Sequence, residues 1–173
     1  MKIFLIGFMG SGKTTIGKSL ARKLQYEFID IDYYIEERKG KNIQEIFAEE
    51  GESKFRKFEQ KILKEIIKKD NAVISCGGGT PCYNKNMELI NKSGLSVYIK
   101  YPIGKLKSRL LPNMRKRPLL NNIGSPDDLE SFIILKLKER ENYYQKSKLI
   151  LDNPKGTKDV IALITDFMNK NEK

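Results

Sequence analysis

Short apolar runs alternate along the chain with segments in which apolar residues recur every three to four positions. The runs predict five β-strands, at residues 2–6, 26–32, 72–75, 96–101 and 148–152. The periodic segments predict helices, at about 16–24, 33–39, 43–50, 55–70, 84–92, 103–111, 126–146 and from 157 onwards. Because strands and helices alternate, we expect crossover connections and an α/β three-layer sandwich with a central five-stranded parallel sheet.

Chain length and punctuation residues indicate how these elements are organised. Gly40 and Gly51 follow the two short helical segments and are predicted helix C-caps. A length of 173 residues fits one domain, and no repeat or linker divides it, so we expect a single domain over residues 1–173. No apolar run approaches 18 residues, which argues against a membrane-spanning helix.

Composition limits the chemistry that is available. Histidine is absent, so proton transfer must fall to carboxylates, lysines or water. Cys76 and Cys82 match neither a disulfide framework nor a zinc pattern, which favours a reducing, cytoplasmic location. The net charge of +11 comes entirely from residues 51–150, where 21 Lys and Arg face 10 Asp and Glu. This excess is typical of a solvated lysine-rich surface, but it also leaves open an anionic ligand or nucleic acid.

Residues 7–14 carry the most specific motif of the chain. They satisfy G-x-x-x-x-G-K-[ST] between a predicted strand and a predicted helix, which is the context of a phosphate-binding loop. We expect backbone N–H groups to surround the phosphates of ATP, from residues Gly10, Ser11, Gly12, Lys13, Thr14 and Thr15. The Lys13 ammonium is predicted to bridge the β- and γ-phosphates, and the Thr14 hydroxyl to ligate Mg²⁺. No N-K-x-D motif is obvious, so a small-molecule kinase is favoured over a GTPase switch.

Three further features indicate an acceptor site. Asp30 and Asp32 end the second predicted strand on one face, where one carboxylate could position Mg²⁺ and the other accept a proton. Arg56 could grip an anion or could simply pair with Glu59 on a helix surface. Three consecutive glycines at 77–79 follow the third strand and predict a close approach of some group to the main chain.

Taken together and in order, the phosphate loop, "DID", "FRKFE", "GGGT", "RPLL" and "RENYY" resemble the shikimate kinase family. The resemblance implies a P-loop kinase architecture like that of nucleoside monophosphate kinases, with an acid-binding helical region at about 33–61 and a mobile lid at about 112–124. It implies ATP- and Mg²⁺-dependent phosphorylation of the 3-hydroxyl of shikimate, a step of chorismate and aromatic amino acid biosynthesis.

The same resemblance assigns roles to individual residues. Substrate binding is carried over to Asp32, Arg56, Gly77, Gly78, Gly79 and Arg140. Asp32 would also be catalytic, together with Lys13 and the lid arginine Arg117. Arg109 would lie against adenine, Arg117 would also contact the nucleotide, and Asp30 and Thr14 would hold Mg²⁺. We expect a monomer whose partners are shikimate and ATP, without nucleic acid or membrane.

Two alternatives remain at this point. A kinase for gluconate or a nucleoside monophosphate could use the same core, although the glycine triplet and "FRKFE" favour a small carboxylic acid. A nucleic-acid-binding NTPase could use the basic region 51–150, but basic and aromatic residues do not interleave there in a strand pattern.

Overall fold

The computed structural model describes residues 1–116, 120 and 123–171. Within these ranges the strands are β1 Lys2–Ile6, β2 Glu27–Asp30, β3 Ala72–Ser75, β4 Leu95–Lys100 and β5 Leu149–Asp152. The helices are α1 Lys13–Leu24, α2 Ile31–Lys39, α3 Ile43–Ile66, α4 Asn86–Ser93, α5 Ile103–Leu110, α6 Pro126–Tyr144 and α7 Thr157–Asn171. Short 3₁₀ turns span Thr80–Cys82 and Leu111–Lys116. In these same ranges, no helix combines the length and the apolar character needed to cross a bilayer.

The strands form one parallel sheet in the order β2-β3-β1-β4-β5. The predicted five-stranded parallel sheet is therefore confirmed. Because all five strands run the same way, the segments that follow them emerge at one edge of the sheet. Strand β1 lies at the centre, so the phosphate loop that follows it opens in the middle of that edge.

Apolar residues cover both faces of the sheet, which produces three layers. On β1, Ile3 and Leu5 belong to one buried cluster with residues of α1, α5, α6 and α7. Phe4 and Ile6 belong to the other, with residues of α2, α3 and α4. All four side chains are fully buried, as expected for a strand covered on both faces.

The second strand is shorter than the sequence predicted. It ends at Asp30, whose backbone is still extended (φ −101°, ψ 119°), and helix α2 begins at Ile31. Asp32 therefore lies in the first turn of a helix and not on a strand beside Asp30. The reason is the helical face formed by Ile31 and Ile35, four residues apart and both fully buried.

Of the two predicted helix C-caps, Gly40 is confirmed and Gly51 is wrong. Gly40 is the predicted left-handed C-cap of α2, with φ 63°. Gly51 has φ 78° and ψ 161° and forms a kink inside α3. The helix continues beyond this kink to Ile66, four residues short of the predicted end at Asp70. The capping box of Asn42 and Glu45 fixes its start.

Candidate active site

The phosphate loop connects β1 to α1 in a conformation that requires glycine. Gly10 and Gly12 have φ values of 80° and 86°, in the left-handed region that side-chain-bearing residues rarely adopt. The Lys13 Nζ donates to the carbonyl oxygens of Gly7 (2.8 Å) and Phe8 (3.1 Å), so the ammonium lies over the loop. Gly10, Gly12, Lys13, Thr14 and Thr15 line a cavity of about 320 Å³ at the N-terminus of α1. This geometry suits an anion of phosphate size.

Thr14 and Asp30 both line this cavity and are in direct contact. The Thr14 hydroxyl donates to Asp30 Oδ2 at 2.8 Å. A hydroxyl and a carboxylate are the hard oxygen ligands that Mg²⁺ accepts. Over the ranges that the structure covers, no group of three or more His, Cys, Asp or Glu side chains could hold a metal alone.

Asp32 lies where two cavities meet, because it lines both the phosphate cavity and a second cavity of about 500 Å³. Burial is the main reason that the pKa of its carboxyl group rises to about 6, and repulsion from Asp30 and Glu59 adds to the effect. The positive charges of Lys13 and Arg56 oppose the rise without cancelling it. A carboxylate with this pKa is a stronger base than an ordinary aspartate and is still ionised near neutral pH.

Arg56 projects from α3 into the second cavity and pairs with a buried carboxylate. Its Nη1 donates to Glu59 Oε2 at 3.0 Å, and the side chain of Glu59 is only 1% exposed. Glu59 Oε1 accepts in turn from the Thr80 hydroxyl at 2.6 Å. The Arg56 guanidinium also lies over the Tyr83 ring, 4.3 Å from its centroid. The pairing with Glu59 that the sequence left open does occur, but it is buried within the site and not on a helix surface.

The glycine triplet packs against the three side chains that were predicted to bind the acid. A Cβ on Gly77 would lie 2.5 Å from Asp32 Oδ1, and one on Gly79 would lie 2.6 Å from Arg56 Nη2. A Cβ on Gly78 would lie 2.9 Å from Arg140 Nη1. Each glycine therefore makes room for one functional side chain. The sequence had predicted the approach of some group to the main chain, and the family resemblance had assigned the triplet to substrate binding.

The other predicted arginines occupy separate places. Arg140, on α6, lines the second cavity together with Arg56. Arg109, on α5, lines the phosphate cavity, donates to the Gly10 carbonyl at 3.3 Å and stacks 4.2 Å from the centre of the Tyr101 ring. Ser11 is buried within the phosphate loop. Arg117 lies outside the described residues, as does part of the predicted lid at 112–124.

Sequence reasoning missed several residues that shape the second cavity. Glu52, Glu59 and Lys136 line it, and Thr80 donates to the Glu59 carboxylate that pairs with Arg56. A signal for Glu59 was present in the sequence. It follows Phe55 by four positions and precedes Ile62 by three, so this carboxylate lies on the apolar face of an amphipathic helix. Such a buried charge calls for a specific partner.

Comparisons with known proteins agree with this geometry. The family model described as "Shikimate kinase" matches residues 9–169. A shikimate kinase from Azobacteroides pseudotrichonymphae is 53% identical over 150 residues, covering 86% of this chain and 88% of the relative. One from Parabacteroides distasonis is 43% identical over 154 residues, covering 89% and 88%.

Solved structures give the same result. The crystal structure of shikimate kinase from Bacteroides thetaiotaomicron superposes with a TM-score of 0.89 at 38% identity, covering 100% of this chain and 99% of that one. The enzyme from Acinetobacter baumannii, in complex with shikimate, gives 0.88 at 32% identity over 98% and 93%. A deoxyadenosine kinase from M. mycoides, at 19% identity and a TM-score of 0.62, shares the fold alone.

Proposed function

Because the chain belongs to the shikimate kinase family, it is an ATP-dependent kinase of shikimate, and we propose that the transfer takes place where its two cavities meet at Asp32. The position of Asp32 is the observation that carries this proposal. One of the cavities it lines contains the phosphate loop, and the other contains two arginines. A base between an ATP site and an acid site is placed to serve a phosphoryl transfer between them.

The second cavity is the proposed shikimate site. Arg56 and Arg140 line it from α3 and α6, and two guanidinium groups suit a carboxylate because each presents a planar pair of donors. With the carboxylate held there, we propose that the 3-hydroxyl points to Asp32. The raised pKa of Asp32, about 6, leaves it ionised at neutral pH and able to accept the hydroxyl proton as the bond to phosphorus forms.

The first cavity is the proposed ATP site. The backbone from Gly10 to Thr15 and the Lys13 ammonium would neutralise the charge of the β- and γ-phosphates. Arg109 is already stacked on Tyr101 through one face, and the other face could cover adenine. The role of Arg117 at the transferred phosphoryl group stays a prediction from the family resemblance.

Thr14 and Asp30 fit the Mg²⁺ that we propose as cofactor. Their oxygens, 2.8 Å apart, lie in the phosphate cavity, and the remaining ligands would come from ATP and water. When bound, Mg²⁺ supplies positive charge to the phosphate oxygens. Thr14 and Asp30 would fix where that charge sits relative to Lys13.

We further propose that residues 1–173 form a single domain. Within it, residues 33–61 would form the acid-binding region and residues 112–124 a lid. The contribution of α3 to the second cavity supports the acid-binding assignment. We also propose that the protein is a cytoplasmic monomer that binds shikimate and ATP and does not bind nucleic acid or membranes. Sedimentation velocity tests the monomer, and a dimer at micromolar concentration would contradict it.

A panel of acceptors in a coupled ADP-release assay tests the reaction. We expect turnover with shikimate far above the rate without acceptor, and no comparable turnover with gluconate or AMP. The alternative acceptors gain no support from the comparisons. Asp32→Asn is the matched control, because a contaminating kinase would leave shikimate-dependent turnover in its preparation. Equal rates with AMP, or none with shikimate, would refute the proposal.

A further inference from the structure

All three nitrogen positions of the Arg56 guanidinium are engaged before any substrate arrives. Nη1 donates to the buried Glu59, while Nε and Nη2 donate to a single oxygen of Glu52, at 3.2 and 3.0 Å. The Nε–Nη2 edge is one of the two edges with which arginine binds a carboxylate through two parallel hydrogen bonds. Glu52 lines the same cavity, and its carboxylate occupies the Nε–Nη2 edge that a bidentate carboxylate ligand would use.

We propose that Glu52 acts as an internal substitute for the substrate carboxylate, which has to displace it from Arg56 on binding. The proposal rests on the function proposed above, since it takes the second cavity as the shikimate site. Glu52 is then a positioning residue that acts through Arg56. Glu52 keeps the arginine directed into the cavity. Because a ligand has to displace Glu52 from Arg56, this residue also favours substrates that carry an acid group.

Burial determines which of the two glutamates leaves. The side chain of Glu59 is 1% exposed and that of Glu52 is 54% exposed. Releasing Glu59 would strand a buried charge and break its hydrogen bond from Thr80, which is costly. Glu52 can turn into solvent, because an exposed ion pair contributes little.

Two other groups around Glu52 influence the exchange: one holds Glu52 on Arg56, and the other offers it an alternative partner. The Tyr83 hydroxyl donates to the same Oε1 atom at 3.1 Å, and thus helps to hold Glu52 on Arg56. Desolvation alone would raise the pKa of Glu52, but the hydrogen bonds from Arg56 and Tyr83, together with the charges of Arg56 and Lys136, outweigh it and lower the pKa. Lys136 lines the same cavity and pairs with the exposed Glu139, and its positive charge also acts on Glu52, so it is a second cation toward which Glu52 can move.

The exchange predicts that wild-type affinity for shikimate is reduced, because only molecules in which Glu52 has left Arg56 can bind it. The apparent Kd is the intrinsic Kd divided by the fraction of Arg56 that is free. For an ion pair of this exposure we expect a reduction of about two- to fivefold. A ligand of the same shape without a carboxylate could not replace the hydrogen bonds of Glu52, and would leave Arg56 unsatisfied if it displaced that residue.

Steady-state kinetics and titration of three variants test the proposal. Glu52→Gln should lower the shikimate KM and Kd by about two- to fivefold, with kcat within a factor of two and the ATP KM unchanged. Tyr83→Phe changes no charge and retains the ring over Arg56. It should also lower the shikimate KM and Kd, but by a smaller factor than Glu52→Gln. Glu27→Gln is the matched control, because this exposed glutamate pairs with Lys69 outside residues 33–61 and should leave every constant unchanged.

The possible outcomes separate this inference from the function on which it depends. A wild-type enzyme without shikimate turnover would refute the function itself. An active wild type with an unchanged or raised KM in Glu52→Gln would overturn the inference. A lower KM in Glu52→Gln with no change in Tyr83→Phe would show a general charge effect and would overturn it as well. A crystal structure with shikimate should show Glu52 no longer bonded to Arg56 Nε, and persistence of that bond would also overturn it.

Discussion

Replacing Asp32 by asparagine should stabilise the protein while strongly lowering its activity. Asp32 is forced to ionise in a place that opposes its charge, since burial and the neighbouring Asp30 and Glu59 raise its pKa from 3.8 to about 6. Above pH 6 the folded state therefore carries a cost of about 3 kcal/mol that the unfolded state does not. Asparagine has nearly the same shape and carries no charge, so it removes this cost.

The sign of the effect fixes its pH dependence. Between pH 3.8 and about 6 the folded protein holds the Asp32 proton more tightly than the unfolded chain does, so wild-type stability falls as pH rises through this window. The variant does not lose stability in this way. By linkage, the difference between the two proteins should be about 1 kcal/mol near pH 4.5 and about 3 kcal/mol near pH 8.

Urea denaturation of both proteins across this pH range measures the free energy of unfolding, and thermal denaturation near pH 8 measures the melting temperature. We expect a melting temperature roughly 6–12 °C higher for Asp32→Asn near pH 8, given about 2–4 °C per kcal/mol for a chain of this size. Asp166→Asn, on the exposed face of α7, should change stability by no more than about 0.5 kcal/mol. A less stable Asp32→Asn variant near pH 8, or a difference that does not vary with pH, would refute the electrostatic account.

The same carboxylate should govern the acid limb of the reaction. If ionised Asp32 accepts the hydroxyl proton, kcat/KM for shikimate should fall tenfold per pH unit below its pKa of about 6. Asp32→Asn should lower kcat by about 10²- to 10⁴-fold, the usual contribution of a general base. A wild-type profile that stays flat down to about pH 5 would exclude Asp32 as the base.

Three further variants test the remaining parts of the site. Arg56→Lys should weaken shikimate binding by about 1.5–3 kcal/mol in calorimetry with little effect on ATP, because lysine offers one point charge in place of a fork; an unchanged Kd would remove Arg56 from the site. Gly79→Ala would place a Cβ 2.6 Å from Arg56 Nη2 and should raise the shikimate KM, while Gly156→Ala, with open space around it, should not; equal KM values would contradict this packing argument. Arg117→Ala should lower kcat strongly while shikimate binding without nucleotide stays unchanged, and an unaltered kcat would show that this arginine does not act on the phosphoryl group.

Much of the fold was predictable because its signals are local. Each strand is an apolar run bounded by turn residues, and the phosphate loop contains its glycines, its lysine and its threonine within eight consecutive residues. The boundary at Asp30 was not predictable in this way. Ile29 and Ile31 alternate as in a strand, while Ile31 and Ile35 repeat as in a helix, and both patterns share one residue. Only packing of α2 against the sheet decides between them.

The Arg56–Glu59 pair shows a second limit of sequence reasoning. A spacing of three residues on a helix is compatible with an exposed ion pair of little value or with a buried pair that orients a ligand-binding group. The spacing is identical in both cases. What distinguishes the two cases is the contact of Glu59 with Thr80 and the position of Arg56 in the second cavity. Both depend on the tertiary fold.

The glycine triplet shows why the acid site could be assigned by family resemblance and not by local reasoning. The three residues that fill the space above Gly77, Gly78 and Gly79 come from α2, α3 and α6, up to 62 positions away in the chain. No local rule links these segments to a turn after β3. The steric requirement nevertheless acts on all of them together. Any side chain in the triplet would displace Asp32, Arg56 or Arg140, so a chain that keeps these three residues in place also has to keep the glycines.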